Sequence, residues 1–197
     1  MYTVLNILLS IVLALGILLS IRHNIHAAQW VMAAVFCLML SLFVNRKRPR
    51  DRLSIAFSVF LFFASIWAVD VFCLHISPTK RIAFLLSKVF RFGPIFIPAS
   101  VFQMALIFYE KEAKKHITRV PVIASYLCSL ALLIANAFDL LVIDLIRKPW
   151  KYSPVLSTGQ KVFLGNLIFW FASSLILVVL SVVNSRSRRH RVRGAYL

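Results

Sequence analysis

Apolar stretches long enough to cross a bilayer alternate with short polar loops along this chain. They fall at residues 2–21, 27–44, 53–73, 80–109, 120–146 and 162–183. A helix needs about 20 apolar residues to traverse the hydrocarbon layer, and its backbone groups must pair within the segment because lipid offers them no partner. The pattern therefore predicts an all-α polytopic membrane protein, a bundle of six transmembrane helices at 1–184 followed by a basic cytoplasmic tail at 185–197. The first run is too long for a secretory h-region and has no basic residue before it, so it reads as a span rather than a cleaved leader.

Two of the runs are irregular. The segment 80–109 is longer than one straight crossing requires. Its first part, 82–92, carries Lys88 and Arg91 and is expected at the external interface; Gly93-Pro94 then permits a kink, and Pro98 a second. Ser77-Pro78-Thr79 is a turn ahead of it, with Ser77 or Thr79 as N-cap. The run 120–146 turns polar toward its end, at Asn136, Asp139 and Asp144. The loop 147–160 follows, with Trp150 and Tyr152 suited to the headgroup layer, where an aromatic ring is half wet.

Charge orients the bundle. Arg46, Lys47, Arg48, Arg50 and Arg52 share one loop, Lys111, Lys114, Lys115 and Arg119 another, and Arg186, Arg188, Arg189, Arg191 and Arg193 the tail. These make up most of the 23 basic residues, whereas the intervening loops hold only Arg22, Lys80, Arg81, Arg147, Lys148, Lys151 and Lys161. Basic loops stay on the cytoplasmic side during insertion, so both termini are expected inside, with the protein in the inner (plasma) membrane as a multi-pass chain.

Composition agrees. With 61% hydrophobic residues and a mean hydropathy of +0.87, too little of the chain is polar to clothe a soluble core. The net charge of +17 would suggest nucleic acid in a soluble protein; here loop sorting and attraction to anionic headgroups account for it, so a lipid bilayer with anionic headgroups is the expected partner and nucleic acid is not. Cys37, Cys73 and Cys128 are far apart and make no metal or redox spacing. His23 and His26, His75, His116 and His190 all lie in or beside loops, without a Cys or carboxylate set, and read as solvated rather than metal-ligating.

Ionisable groups inside the spans are the strongest pointers to a site, since each costs about 2.5–3.5 kcal/mol to place at a helix centre on insertion scales. Asp70 near the outer end of the third span, Lys88 and Arg91 on the fourth, and Asp139 near the outer end of the fifth stand at one depth. They predict an external-side polar cluster, either a set of structural ion pairs or the floor of a pocket. No HExxH, GxSxG, phosphate-cradling glycine loop or paired carboxylates at helical spacing are present, so no catalytic residues and no cofactor are expected.

Three passages resemble the N-terminal multi-helix membrane sensor region of bacterial sensor histidine kinases, of the seven-helix type. They are Asn45-Arg46-Lys47-Arg48 leading to Leu53, Phe57 and Trp67; Phe90-Arg91-Phe92-Gly93-Pro94-Ile95-Phe96-Ile97-Pro98-Ala99 ahead of Phe108-Tyr109; and Trp150-Lys151-Tyr152-Ser153-Pro154 with Gly159. The likeness covers residues 27–183. It implies a membrane-embedded, non-enzymatic, signal-relaying module without a kinase part, acting through a partner protein in the membrane or at its cytoplasmic face. The rival readings are an accessory subunit of a larger membrane complex, respiratory or photosynthetic, and, ranked below it, a small transporter.

Overall fold

The computed structural model describes residues 25–47, 51–113, 119–149 and 151–194. Six helices and one hairpin make up this part: α1 (Ile25–Lys47), α2 (Arg52–Ile76), α3 (Lys80–Phe90), α4 (Phe92–Ala113), α5 (Val120–Ala137), the strands β1 (Leu145–Arg147) and β2 (Tyr152–Pro154), and α6 (Thr158–Gly194). Among the described residues five helical segments are long and apolar enough to cross a membrane: Ala27–Arg46, Arg52–Ile76, Lys80–Lys111, Val120–Ala137 and Thr158–Val183. The span expected at 2–21 lies outside the described residues, as do Arg48, Arg50, Lys114 and Lys115.

The centre of the bundle is the pair α2 and α4. On one side α2 carries α1, and on the other α4 carries α6 and α5. Helices α1 and α2 are joined by two serines that each donate to the other's backbone: Ser41 Oγ to the Ser58 carbonyl at 2.8 Å, and Ser58 Oγ to the Ser41 carbonyl at 2.9 Å. Small hydroxylated residues let two helices approach closely and add polar bonds that lipid cannot replace. Where α4 begins, Gly93 lies so near α2 that a Cβ there would be 2.7 Å from the Trp67 backbone nitrogen. Stacked and tilted rings, Phe63 with Phe96 at 5.2 Å and Phe102 with Trp170 at 4.8 Å, fill the two flanks of α4.

At the kink expected around Gly93-Pro94 the helical hydrogen-bond ladder is interrupted for one residue, Arg91, whose backbone itself stays helical. Helix α3 ends at Phe90, Arg91 forms the corner, and α4 restarts at Phe92. Pro94 has no N–H for the Phe90 carbonyl and its ring would collide with it, but within the first turn of a new helix that N–H is unneeded. Pro98 is different: it is fully buried inside α4, which continues past it to Ala113.

The fifth helix is shorter than the apolar run implies. Rather than continuing to 146 it stops at Ala137, and Asp139 takes a left-handed conformation with φ of 59°. The Leu140 N–H then bonds the Ala135 carbonyl at 3.0 Å and the Asp139 N–H the Asn136 carbonyl at 3.2 Å. This is the Schellman closure, with an aspartate where glycine is usual. The run beyond it, apolar but no longer helical, leads into the antiparallel hairpin, in which Leu145 faces Pro154 and Arg147 faces Tyr152.

The principal buried cluster sits under this hairpin and not at mid-bundle. Leu74, Ile95, Leu132, Leu141, Leu145, Tyr152 and Phe163 draw α2, α4, α5, the hairpin and α6 into one cap. Ser157 starts α6 by accepting the Gln160 N–H at 3.1 Å, while its own hydroxyl donates to the Leu141 carbonyl at 3.1 Å. Gly159 fits directly against the Leu140 carbonyl, where any Cβ would collide with backbone. Helix α6 also does not stop where its apolar run stops: its backbone stays helical through the basic segment to Gly194, so the expected tail is a continuation of the last span.

Two substitutions test this joint. Gly159→Ala should push α6 off the cap and lower stability by about 1–3 kcal/mol, the usual effect of overpacking, seen as a fall in Tm in detergent. Gly165→Ala, where a Cβ meets nothing within 4 Å, should leave Tm unchanged or slightly raised.

Candidate functional site: ion pairs around a broken helix

Where α3 breaks, its last carbonyls lose their helical partners. Arg91 N–H still bonds the Ser87 carbonyl at 2.9 Å. The Lys88 carbonyl is taken by Asn136, whose Nδ2 donates to it at 2.9 Å from the end of α5. One turn into α4, Ser129 Oγ donates to the Ile95 carbonyl at 3.0 Å. Two polar side chains of α5 thus hold the break in place, and this accounts for Asn136 and Ser129 being buried in an otherwise apolar helix.

The corner residue carries the charge. Arg91 is 7% exposed and Asp70, from α2, is 1% exposed; Arg91 Nη1 stands 3.9 Å from Asp70 Oδ2. That is an ion pair but too long for a hydrogen bond. Arg91 Nη2 donates instead to Ser87 Oγ at 3.0 Å, one turn back on α3. Asp70 Oδ1 and Arg91 Nε are buried without a hydrogen-bond partner. The pair is therefore held by long-range attraction in a low-dielectric setting, where separating it would strand either charge.

The four residues expected as one cluster resolve into two pairs. Lys88 Nζ lies 2.7 Å from Asp139 Oδ1, both side chains partly in the open, and is separate from the buried pair. Asp139 also stands in the turn after α5 and not on a helix, because the Schellman closure ends α5 two residues earlier.

The expectation from sequence omitted two further links. Lys80 Nζ, at the start of α3, lies 2.7 Å from Asp144 Oδ1, just ahead of β1. The Lys80 contact, helped by the Leu145 N–H, holds the Asp144 carboxyl below its ordinary range. At the far end of the bundle Arg52 Nη1 lies 3.8 Å from Glu110 Oε2. Four of the six acidic residues thus join separate elements, three of them at the capped end. Only the scarcity of acids in the sequence could have flagged Glu110 and Asp144, since both sit at the edges of apolar runs.

His75, in the last turn of α2, bonds the Val71 carbonyl through Nδ1 at 2.7 Å and lies 6.4 Å from the Trp30 ring. Cys37, Cys73 and Cys128 are free thiols on separate helices. Among the described residues no three His, Cys, Asp or Glu side chains gather as a metal-binding group. For the arginines at 186, 188, 189, 191 and 193 the backbone is described, as helix, but not the side chains.

The cap end offers buried electrostatics, and the two clefts found among the described residues lie elsewhere: neither is lined by Asp70, Lys88, Arg91 or Asp139. The larger, about 560 Å³, is an apolar crevice between α1, α2, α4 and α6 walled by residues such as Phe57, Met104 and Phe171. The smaller opens at the opposite end, between α2, α4 and α5.

A double-mutant cycle separates a structural pair from independent residues. Asp70→Asn or Arg91→Met alone should lower stability by about 3–5 kcal/mol, because each leaves one buried charge unpaired. The double variant should recover most of that loss. Thermal unfolding of the four proteins in one detergent reads the cycle, and simple additivity would show that the two groups are not coupled.

No protein-family model matches the chain, and neither does any curated protein or solved structure.

Proposed function

We propose that this chain is a non-enzymatic signal-relaying module of a bacterial plasma membrane, working through a partner protein at the cytoplasmic face. The observation that carries the reading is α6. It is one helix of 37 residues, about 55 Å at 1.5 Å per residue, so it is longer than a crossing needs. At its start it is fixed to the cap by Ser157 and by the close seat of Gly159 on Leu140. Its other end, from 184 to 194, extends as a basic helix beyond the apolar run.

A continuous helix transmits a displacement along its axis where a loop would absorb it. Movement in the cap, whether of α3 about its break or of the hairpin against it, is thereby passed to the basic end of α6. The ion pairs of Lys80 with Asp144 and Lys88 with Asp139 are exposed links between these parts, weak enough to be remade by an external stimulus. The resemblance to the membrane regions of sensor kinases fits the same scheme, as does sorting of basic loops to the cytoplasmic side.

The rival reading, an accessory subunit, rests on apolar faces such as those of Phe36, Ile123 and Leu175, which are well exposed and could meet neighbouring subunits as readily as lipid.

The relay is testable without knowing its stimulus. Spin labels at Ser187→Cys and Lys111→Cys, in full-length chain with its native cysteines replaced and reconstituted in nanodiscs, report the distance between α6 and α4. Breaking the cap links with Lys80→Gln and Asp139→Asn should shift or broaden that distance distribution. An unchanged distribution, with the cap shown to be loosened by faster amide exchange in the hairpin, would refute relay and favour the subunit reading.

A further inference from the structure

The smaller cleft lies at the end of the bundle away from the cap, where α2 and α5 begin and α4 ends, and encloses about 260 Å³. Its lining divides into two chemistries. Ile55, Ile107 and Ile123 give it apolar walls, and Arg52, Arg119, Gln103 and Glu110 place polar groups on it. Two guanidiniums against one carboxylate leave it a net positive charge.

Among the described residues these donors keep capacity for a ligand. The Arg52–Glu110 approach of 3.8 Å is an ion pair without a hydrogen bond, and the Arg52 side chain is 55% exposed against 13% for Glu110. Gln103 receives the Tyr126 hydroxyl on Oε1 at 2.7 Å, which commits its amide oxygen and leaves its N–H groups as donors. Gln103 lies seven residues before Glu110 on α4, about 10 Å deeper along the helix. The cleft thus offers guanidiniums at one level, exposed apolar side chains about one turn deeper, Ile55 and Ile123 among them, and an amide donor deeper still.

We propose that this cleft binds one anionic glycerophospholipid. Arg52 and Arg119 take its phosphate, whose planar-fork match to guanidinium is the strongest available in such a site. One acyl chain lies along Ile55, Ile107 and Ile123. A free phosphate would leave the apolar walls unused, and a zwitterionic headgroup would bring no net charge to a positive cleft. Glu110 tempers the site by opposing the headgroup's charge. The proposal does not rest on the relay reading, since it needs only the placement of α2, α4 and α5.

The test uses the full chain in nanodiscs of phosphatidylcholine doped with phosphatidylglycerol, extracted gently, with retained lipid counted by mass spectrometry. Wild type should keep phosphatidylglycerol in preference to phosphatidylcholine, at about one per chain. Arg52→Gln and Arg119→Gln should each reduce that preference roughly fivefold, the effect of one basic residue near an anionic headgroup. Glu110→Gln should raise it, a reversal of sign that loss of folding cannot mimic. Changing Arg186 and Arg188 to Gln should leave it in place. No preference in wild type, a preference untouched in the Arg52/Arg119 double variant, or displacement of the lipid by inorganic phosphate would each overturn the proposal.

Discussion

A backbone carbonyl stranded in an apolar environment has to find a donor, and the break between α3 and α4 strands several at once. Pro94 favours the break, because it cannot supply an N–H to the Phe90 carbonyl and its ring crowds that carbonyl. Asn136 of α5 answers it with a side-chain donor to the Lys88 carbonyl, and Ser129 ties α5 to the start of α4 at the Ile95 carbonyl. Fixing α5 there also fixes where it must end, and its Schellman closure throws the chain across the top of the bundle as a hairpin. The buried cluster beneath that hairpin, and the seat of α6 on Leu140, follow from the same geometry.

Electrostatics supports this arrangement without being its main source of stability. The Asp70–Arg91 pair has one unpartnered oxygen and one unpartnered nitrogen, so its desolvation is incompletely offset. What the pair supplies is selectivity of placement: only with Arg91 at the corner does the Asp70 charge on α2 find an opposite one. The three more exposed pairs contribute less to stability. They join α3 to the hairpin and to the end of α5, and α2 to the end of α4.

The proposed relay depends on which parts are held together. The cap is tied together by hydrogen bonds, close backbone approach and buried apolar residues, and α6 grows out of it as an unbroken rod. Toward the opposite end the bundle holds a cleft of mixed chemistry between α2, α4 and α5 and a broad apolar crevice beside α1 and α6. The proposed relay along α6 and the proposed lipid cleft use different surfaces, since the cleft is lined by α2, α4 and the start of α5 and not by α6.

Local composition was enough to give an all-α chain and to place most of the helices long and apolar enough to cross a membrane. Hydrocarbon imposes its length on any helix that crosses it, so apolar runs announce themselves whatever they pack against, and five described helices lie where such runs predict. Gly93-Pro94 likewise marked the break, because proline acts on its own backbone. The end of α5 could not be read in that way: residues 138–146 are as apolar as a span, and only the hydrogen bonds around Asp139 and the neighbours of Leu141 and Leu145 turn them into a cap. Asp70, Lys88, Arg91 and Asp139 were visible as charges at one depth, but which acid meets which base depends on helix rotation, a tertiary quantity to which periodicity is blind. The same holds for the cleft of Arg52, Gln103, Glu110 and Arg119, whose members come from three helices and share no motif.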